Sequence, residues 1–513
     1  MNNTGLQSFA RKIAIFFAKY RPLIVLLLIV FILRIPSLFE PHRYADEEIY
    51  LTLGQAVRKG LVLYRDIHDN KPPLLYLTAA VAGNLFWFRS LLLVAHAFGV
   101  IFFWKLAELI FRNNRVAVFI SSSLFGLLST LPTLEGNIAN GENFMIVPAL
   151  LGTLLFYRIL VRPDLLTRLW IFFGVGFLFS TSFLFKVPIV FDFLSLVLFW
   201  CFFVPSSTTN LRVYFQRVFS FQFIAMVLGF VLPIALSIAY YSIFGAFEPY
   251  VRSALLQNVG YVSSWRGGGG LLTNPLVFRG AIVGGVLIIL FVLSNTLSLA
   301  VRFVSVWTVF SMYGSLLSSR PYPHYLLEAL VPVSLLVVLV FVERRLLHRL
   351  FPLLLMILVL FAYVENGFWY YATVPYYRNF VLYALGGKDW EAYIDWFGAR
   401  RAYAVSSYLQ QHTLPTDRIF VWGTEPSIYA LSDRLPVGRY AVSYHIVDFR
   451  SYDETVAAFR NSPPLYIIVI DSLEQFIQLK SFLQQYYILE TTVEGVPLYR
   501  HLPETQASSF HRR

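Results

Sequence analysis

Two charged clusters with chemical potential follow the first apolar stretch of the chain. The segment Tyr44-Ala-Asp-Glu-Glu-Ile-Tyr50 sets three carboxylates in a row. On a helix Asp46 and Tyr50 share a face, and Glu47 is turned away by about 100°. Adjacent acids beside a membrane can hold different pKa values, so Asp46, with Glu47 next to it, is the candidate base for an attacking hydroxyl. The same acids also fit a plainer task, favouring a helix N-terminus. The segment Gly60-Leu-Val-Leu-Tyr-Arg-Asp-Ile-His-Asp-Asn-Lys-Pro-Pro73 then packs Arg65, Asp66, His68, Asp69 and Lys71 into seven positions. Its two prolines restrict Lys71 to extended backbone and favour a helix start, so a fixed ammonium can meet a phosphate. A charged connector between surface helices is the simpler alternative. His68 reads as a hydrogen-bonding residue.

Two later segments add polar groups at the edges of apolar runs. Asn140-Gly-Glu-Asn-Phe144 supplies Glu142 and Asn143, and Arg320-Pro-Tyr-Pro-His-Tyr325 supplies Arg320, His324 and Tyr325. His324 and Tyr325 are placed to hydrogen-bond a phosphate or a sugar, although Tyr325 equally suits an interfacial aromatic belt. Lys186 at a span end fits snorkelling as well as phosphate binding. No spacing matches a dedicated zinc site. A divalent cation between Asp46 and Glu142 stays open, and no other cofactor is implied. Transfer from an anionic leaving group at the membrane interface needs cations on that group and a carboxylate opposite them. Both are present.

The elements that must position these residues are membrane helices. Of 513 residues, 57% are hydrophobic and 14% charged, and mean hydropathy is +0.63, whereas soluble domains carry about 25% charged residues. Apolar runs at 22-39, 89-111, 116-132, 143-160, 169-185, 187-204, 219-243, 276-293, 303-318, 326-342 and 351-371 predict about eleven transmembrane helices. The first follows a basic segment (Arg11, Lys12, Lys19, Arg21), lacks a cleavage site and stops at Arg34-Ile-Pro, as an uncleaved signal anchor does. With the N-terminus inside, Arg112, Arg115, Arg158, Arg162, Arg168, Arg212, Arg217, Arg302, Arg344, Arg345 and Arg349 fall in cytoplasmic loops. Loop 40-88 breaks this pattern. Either the orientation is reversed, or its Arg43, Arg58, Lys59, Arg65 and Lys71 lie on the outer side, where they suit an anionic ligand.

Residues 1 to 371 hold 28 basic and 15 acidic residues, and residues 372 to 513 hold 13 and 14. The positive excess therefore belongs to the membrane part, where it matches topology and anionic headgroups; no basic run alternates with exposed aromatics, which argues against nucleic acid. Beyond 371 short elements alternate: strands near Arg418-Trp422, Leu465-Ile470, Tyr487-Thr492 and Val496-Arg500, a helix after Thr424 as N-cap, and a helix from Ser472. The expected fold is an all-α polytopic bundle, residues 1-371, with a small α/β domain, residues 372-513, on the face of loop 40-88. A single cysteine, Cys201, excludes an intrachain disulfide. Loop 245-275, with Tyr250, Arg252, Tyr261, Trp265, Arg266 and Gly267 to Gly270, reads as a flexible linker or a closing flap.

Read in order, Asp46-Glu47, Tyr50, Asp69-Asn70-Lys71-Pro72-Pro73, Asn140-Gly-Glu-Asn-Phe144 and Arg320-Pro-Tyr-Pro-His-Tyr325 resemble the C superfamily of membrane glycosyltransferases. The likeness is to the bacterial relatives of protein O-mannosyltransferases and of lipid A aminoarabinose transferases, over about 370 residues. It implies transfer from a polyprenyl-monophosphate sugar, with inversion, on the exoplasmic or periplasmic face of the cell (inner) membrane, to an acceptor that the sequence leaves open. It also implies that Asp46 activates the acceptor and Lys71 contacts the donor phosphate. Relatives often carry Glu before that lysine; here Asn70 stands there, with Asp69 one place earlier. On this reading Arg65, Arg320, His324 and Tyr325 join Lys71 on the phosphate, and Tyr50, Asp69, Glu142 and Asn143 face acceptor or sugar. A transporter or lipid flippase is the competing class, but its charges would sit mid-bilayer rather than in loops.

Overall fold

The apolar runs become helices, several of them opened by a capping side chain. The structure, a computed structural model, describes residues 3–205, 211–257 and 275–502. Helix α1 (Asn3–Leu38) is followed by two short helices, α2 (Ala45–Arg58) and α3 (Leu74–Ala82). Then come α4 (Leu85–Ile110), α5 (Arg115–Leu128), α6 (Gly141–Val161), α7 (Leu169–Phe183) and α8 (Val190–Leu198), which runs into a π-helical turn. After α9 (Leu211–Val218) follow α10 (Phe221–Ile243), α11 (Phe247–Tyr250), α12 (Pro275–Val292), α13 (Leu299–Ser315), α14 (Leu326–Val342) and α15 (Leu346–Asn366). Asn84, Asn114, Asn140, Ser220 and Ser298 accept from the backbone N–H three residues on, capping α4, α5, α6, α10 and α13.

Among the described residues, seven helices are long and apolar enough to cross a bilayer, and Arg115–Leu128, Leu169–Phe183 and Val187–Phe203 are apolar but shorter. With α13, each of the eleven expected runs meets a helix. The protein is a multi-pass, all-α membrane bundle. Lipid gives apolar helices no hydrophobic reason to associate, so close approach matters. At the crossing of α7 and α10 a Cβ on Gly176 would strike the Met226 carbonyl, and one on Gly229 the Phe173 carbonyl. One expectation fails locally. Arg34-Ile-Pro does not end the first helix: Arg34 is buried, its Nη2 donates to the Ser129 carbonyl at 3.1 Å, and α1 continues to Leu38. A paired guanidinium interrupts the apolar pattern but not the backbone hydrogen bonds.

The chain continues through α16 (Thr373–Ala384), α17 (Trp390–Asp395) and α18 (Arg400–His412) into a four-stranded sheet. Strand β1 (Ile419–Trp422) pairs in parallel with β2 (Tyr466–Val469), and β2 and β3 (Tyr487–Val493) flank β4 (Val496–His501) antiparallel. Alternation sorts the side chains. Phe420, Trp422 and Ile467 pack with Phe459 and Phe482, while Ile419, Val421, Tyr466 and Ile468 pack with Val405 and Tyr429. Glu494 and Gly495, both at positive φ, close the β3–β4 hairpin. Between β1 and β2 lie α19 (Ser427–Ser432), α20 (Ser443–Phe449) and α21 (Tyr452–Asn461), and α22 (Ile477–Tyr486) precedes β3. Thr424 is not the expected cap: α19 starts beyond Pro426, and Thr424 Oγ1 instead pairs with Ser443 Oγ at 3.2 Å. Pro426 lacks an N–H and suits the helix entry, which frees the threonine for the neighbouring turn.

This domain sits on the loop that joins α1 to α4. Gln55 Nε2 donates to the Ala430 carbonyl at 2.9 Å, Lys59 Nζ to the Asp433 carbonyl at 2.8 Å, and the His68 N–H to the Arg439 carbonyl at 2.7 Å.

Candidate functional site

Asp46 lies in the first turn of α2, and Tyr50, one turn on, donates its hydroxyl to Asp46 Oδ2 at 3.0 Å. Lys71 comes from the next segment, where its backbone is held from both sides. Its N–H donates to the Tyr76 hydroxyl at 3.0 Å, and its carbonyl accepts from the Tyr64 hydroxyl at 2.8 Å. The Lys71 ammonium lies 4.9 Å from the centre of the Tyr50 ring and 3.4 Å from Asp46 Oδ2. The acid and the cation selected from separate segments therefore meet. Tyr64 takes a left-handed conformation (φ 70°) that costs an ordinary residue about 1–2 kcal/mol. Its ring packs between Tyr76, Tyr241 and Tyr250, which holds it there.

A second cluster adjoins the first. Glu142, in the first turn of α6, is ion-paired with Lys186 from the segment after α7. His324 Nε2 is 3.6 Å from Glu142 Oε1, and its Nδ1 contacts Glu135, which also accepts from the Tyr44 hydroxyl at 3.1 Å. Lys186 lies 4.7 Å above the Tyr325 ring. Arg320 is half-buried just before this turn, its N–H on Ser318 Oγ. Burial alone raises the Asp46 pKa, but Lys71, His324, Lys186 and the Tyr50 hydroxyl outweigh it and hold the carboxyl at about 2. About a third of the Asp46 side chain, 35%, still reaches solvent. An ionised, accessible carboxylate thus faces two ammonium groups.

Other expected residues are used differently. Glu47 is fully buried and bound by Arg89 of α4, whose Nε donates to Glu47 Oε1 at 2.9 Å, and the Ala139 N–H donates to the same oxygen at 2.6 Å. It points into the protein as an anchor, away from Asp46, which is what the 100° turn between neighbours on a helix imposes. Asp69 is 1% exposed; its Oδ2 accepts from the Tyr76 hydroxyl at 2.8 Å and lies 3.9 Å from Lys71 Nζ, so it braces the lysine. The Asn143 amide donates to the Glu135 and Ile138 carbonyls and shapes the loop that carries Glu135. Arg65 turns outward onto Asp66 and the Phe244 carbonyl, apart from Lys71. His68 is a hydrogen-bonding residue: Ser253 Oγ is 3.2 Å from its Nδ1, and burial, with His445 and Arg439 nearby, pushes its pKa down to about 3.

Of the two carboxylates considered for a divalent cation, Asp46 faces Lys71 and Glu142 is paired with Lys186. Among the described residues no group of three His, Cys, Asp or Glu side chains is placed to hold a metal ion. Of loop 245-275, Tyr250 packs on Tyr241 and Tyr64, and Tyr261, Trp265, Arg266 and the four glycines lie outside the described residues. Sequence reasoning missed Glu40, Arg89, Glu135 and His445. Arg89, a lone cation inside an apolar run, carried a usable signal. His445, whose Nε2 lies 3.7 Å from Asp69 Oδ1, carried none, because a tertiary contact alone brings it in.

No family model and no curated protein matches this sequence. Among solved structures, the chain is similar to ArnT from Cupriavidus metallidurans bound to undecaprenyl phosphate, with TM-score 0.56 and 12% identity over 94% of this chain and 98% of that one. The apo state of the same protein gives TM-score 0.51 and 11% identity, over 94% and 98%. The archaeal oligosaccharyltransferase AglB from Archaeoglobus fulgidus, in complex with an inhibitory peptide and a dolichol-phosphate, gives TM-score 0.47 and 11% identity, over 95% and 75%. The fold is thus like that of ArnT. That likeness runs nearly the full length of both chains.

Proposed function

We propose that the protein transfers a sugar from a polyprenyl-monophosphate donor to a hydroxyl of a cell-envelope acceptor, inverting the anomeric carbon. The observation that carries this reading is the 3.4 Å approach of Lys71 Nζ to Asp46 Oδ2 from two separate segments. The acceptor oxygen attacks the anomeric carbon and its proton passes to Asp46. The bond to the phosphate oxygen breaks, and the electron pair leaves with the polyprenyl phosphate, held by Lys71 with Lys186, Arg320, His324 and Tyr325 around it. The undecaprenyl phosphate in ArnT supports a donor of this kind.

A carboxyl held at about 2 is a weak base. A donor phosphate that engages Lys71 removes the nearest stabilising charge, so Asp46 gains basicity only once the donor is in place. Replacing Lys71 by Met is expected to lower kcat/KM about 10²-fold, the scale for losing one charged stabiliser. The same change removes the largest charge that depresses the Asp46 pKa, so the acid limb of the kcat/KM profile moves upward, toward the usual carboxylate range. Membranes supplied with a polyprenyl-phosphate sugar report both. An acid limb that stays in place overturns the coupling, and absence of any sugar-bearing product with that donor overturns the function.

The active site lies on the exoplasmic, periplasmic face in this scheme, with the C-terminal domain beside it. Topology reporters fused at residues 70 and 345 are expected to report opposite sides, residue 70 outside. A cytoplasmic signal from residue 70 overturns the orientation.

A further inference from the structure

Between the Lys71 loop and the C-terminal domain lies an open cleft of about 460 Å³, large enough for a sugar phosphate or a lipid headgroup. Three guanidinium groups line it, those of Arg65, Arg418 and Arg439, against two carboxylates, Asp66 and Glu454. Their commitments differ. Arg65 is taken up by both oxygens of Asp66 and by the Phe244 carbonyl just past the end of α10, which sets this side of the cleft at the membrane boundary. Arg439 donates through Nη2 to the Tyr64 carbonyl at 3.2 Å and lies 3.7 Å from Glu454, while its buried Nε has no hydrogen-bond acceptor. Arg418, half-buried just before β1, helps hold the Asp66 carboxylate in its charged form from across the cleft, without a direct hydrogen bond to it. The buried Arg439 Nε is the costly group, a donor left without an acceptor unless something supplies one.

We propose that this cleft binds an anionic group, a phosphate or carboxylate carried by an acceptor or by a lipid headgroup, with Arg418 and Arg439 as its ligands. The planar fork of arginine suits two-point contact with such a group. The cleft also borders the catalytic loop through two bonds already described. Arg439 holds the Tyr64 carbonyl, and the Tyr64 hydroxyl holds the Lys71 carbonyl, so an anion drawn onto Arg439 acts on the residue that positions Lys71. The site stands on its own geometry and does not require the transferase reading.

The test uses the full chain in nanodiscs and glucose 1-phosphate as the probe, with glucose as the neutral control, read by calorimetry. Wild type is expected to bind the phosphate and not glucose, and Arg418→Gln to bind it about tenfold more weakly, the loss of one charge-assisted contact. Arg439→Gln, made separately, is expected to weaken binding as well. A second arm compares zwitterionic discs with discs containing phosphatidylglycerol. If the anionic lipid raises the melting temperature of wild type and not of Arg418→Gln, the same site is filled by a headgroup. Unchanged affinity and unchanged lipid response in both arginine variants overturn the proposal. So does phosphate binding that disappears in Lys71→Met alone, because it then belongs to the donor site.

Discussion

Asp46→Asn is expected to cut sugar transfer by about 10³-fold, within the range for loss of a general base, while the chain inserts and folds as before. The reasoning is local. An amide keeps the size of the side chain and can still accept from Tyr50, 3.0 Å away. It can neither take a proton from the acceptor nor balance Lys71 at 3.4 Å. The measurement is transfer of a labelled sugar from the polyprenyl phosphate in membranes, normalised to the amount of protein. Near-normal turnover would mean that another group takes the proton.

The second large effect concerns stability. Arg89 is 1% exposed and ties together parts that are distant in sequence. It donates to the Ser37 carbonyl at 2.8 Å, lies 3.4 Å from Glu40 Oε2 and holds both oxygens of Glu47. Glu40 in turn accepts from Arg43 at 2.6 Å and from Asn137 and Tyr376 at 3.0 Å each. Removing the cation strands Glu47 in the interior, where breaking a buried pair costs about 3–5 kcal/mol. Arg89→Leu should therefore inactivate on heating much faster than wild type in nanodiscs, and accumulate poorly. Arg89→Lys should rescue little, because a point charge cannot reproduce the two-point contact with Glu47. Wild-type heat resistance in Arg89→Leu would show that the trio contributes nothing.

The sequence was most legible where one physical rule acted alone. Hydropathy located eleven helices, since the bilayer demands apolar length whatever the tertiary contacts. Strand alternation located β1 to β4, because each side of that sheet packs on its own core. Asp46 and Lys71 stood out because carboxylate, prolines and lysine combine in a short stretch of loop. The setting of Glu47 was not legible for the opposite reason: nothing in its neighbours reveals that Arg89, 42 positions away, will pair with it. Thr424 was a sound cap by residue type, displaced by a proline that opens the helix two residues later. His445 and Arg418 reach the loop only through docking of the last domain, and no local pattern encodes that.

That docking also orders the birth of the molecule. The loop that holds Lys71 borrows the Arg439 carbonyl for its His68 N–H and leans on the Arg439 guanidinium through Tyr64. During synthesis, the early half of the centre is laid down long before its late brace leaves the ribosome. A half-made chain resting in the membrane lacks the part that steadies its lysine, so the Lys71 loop takes its full set of contacts only once the last domain has docked.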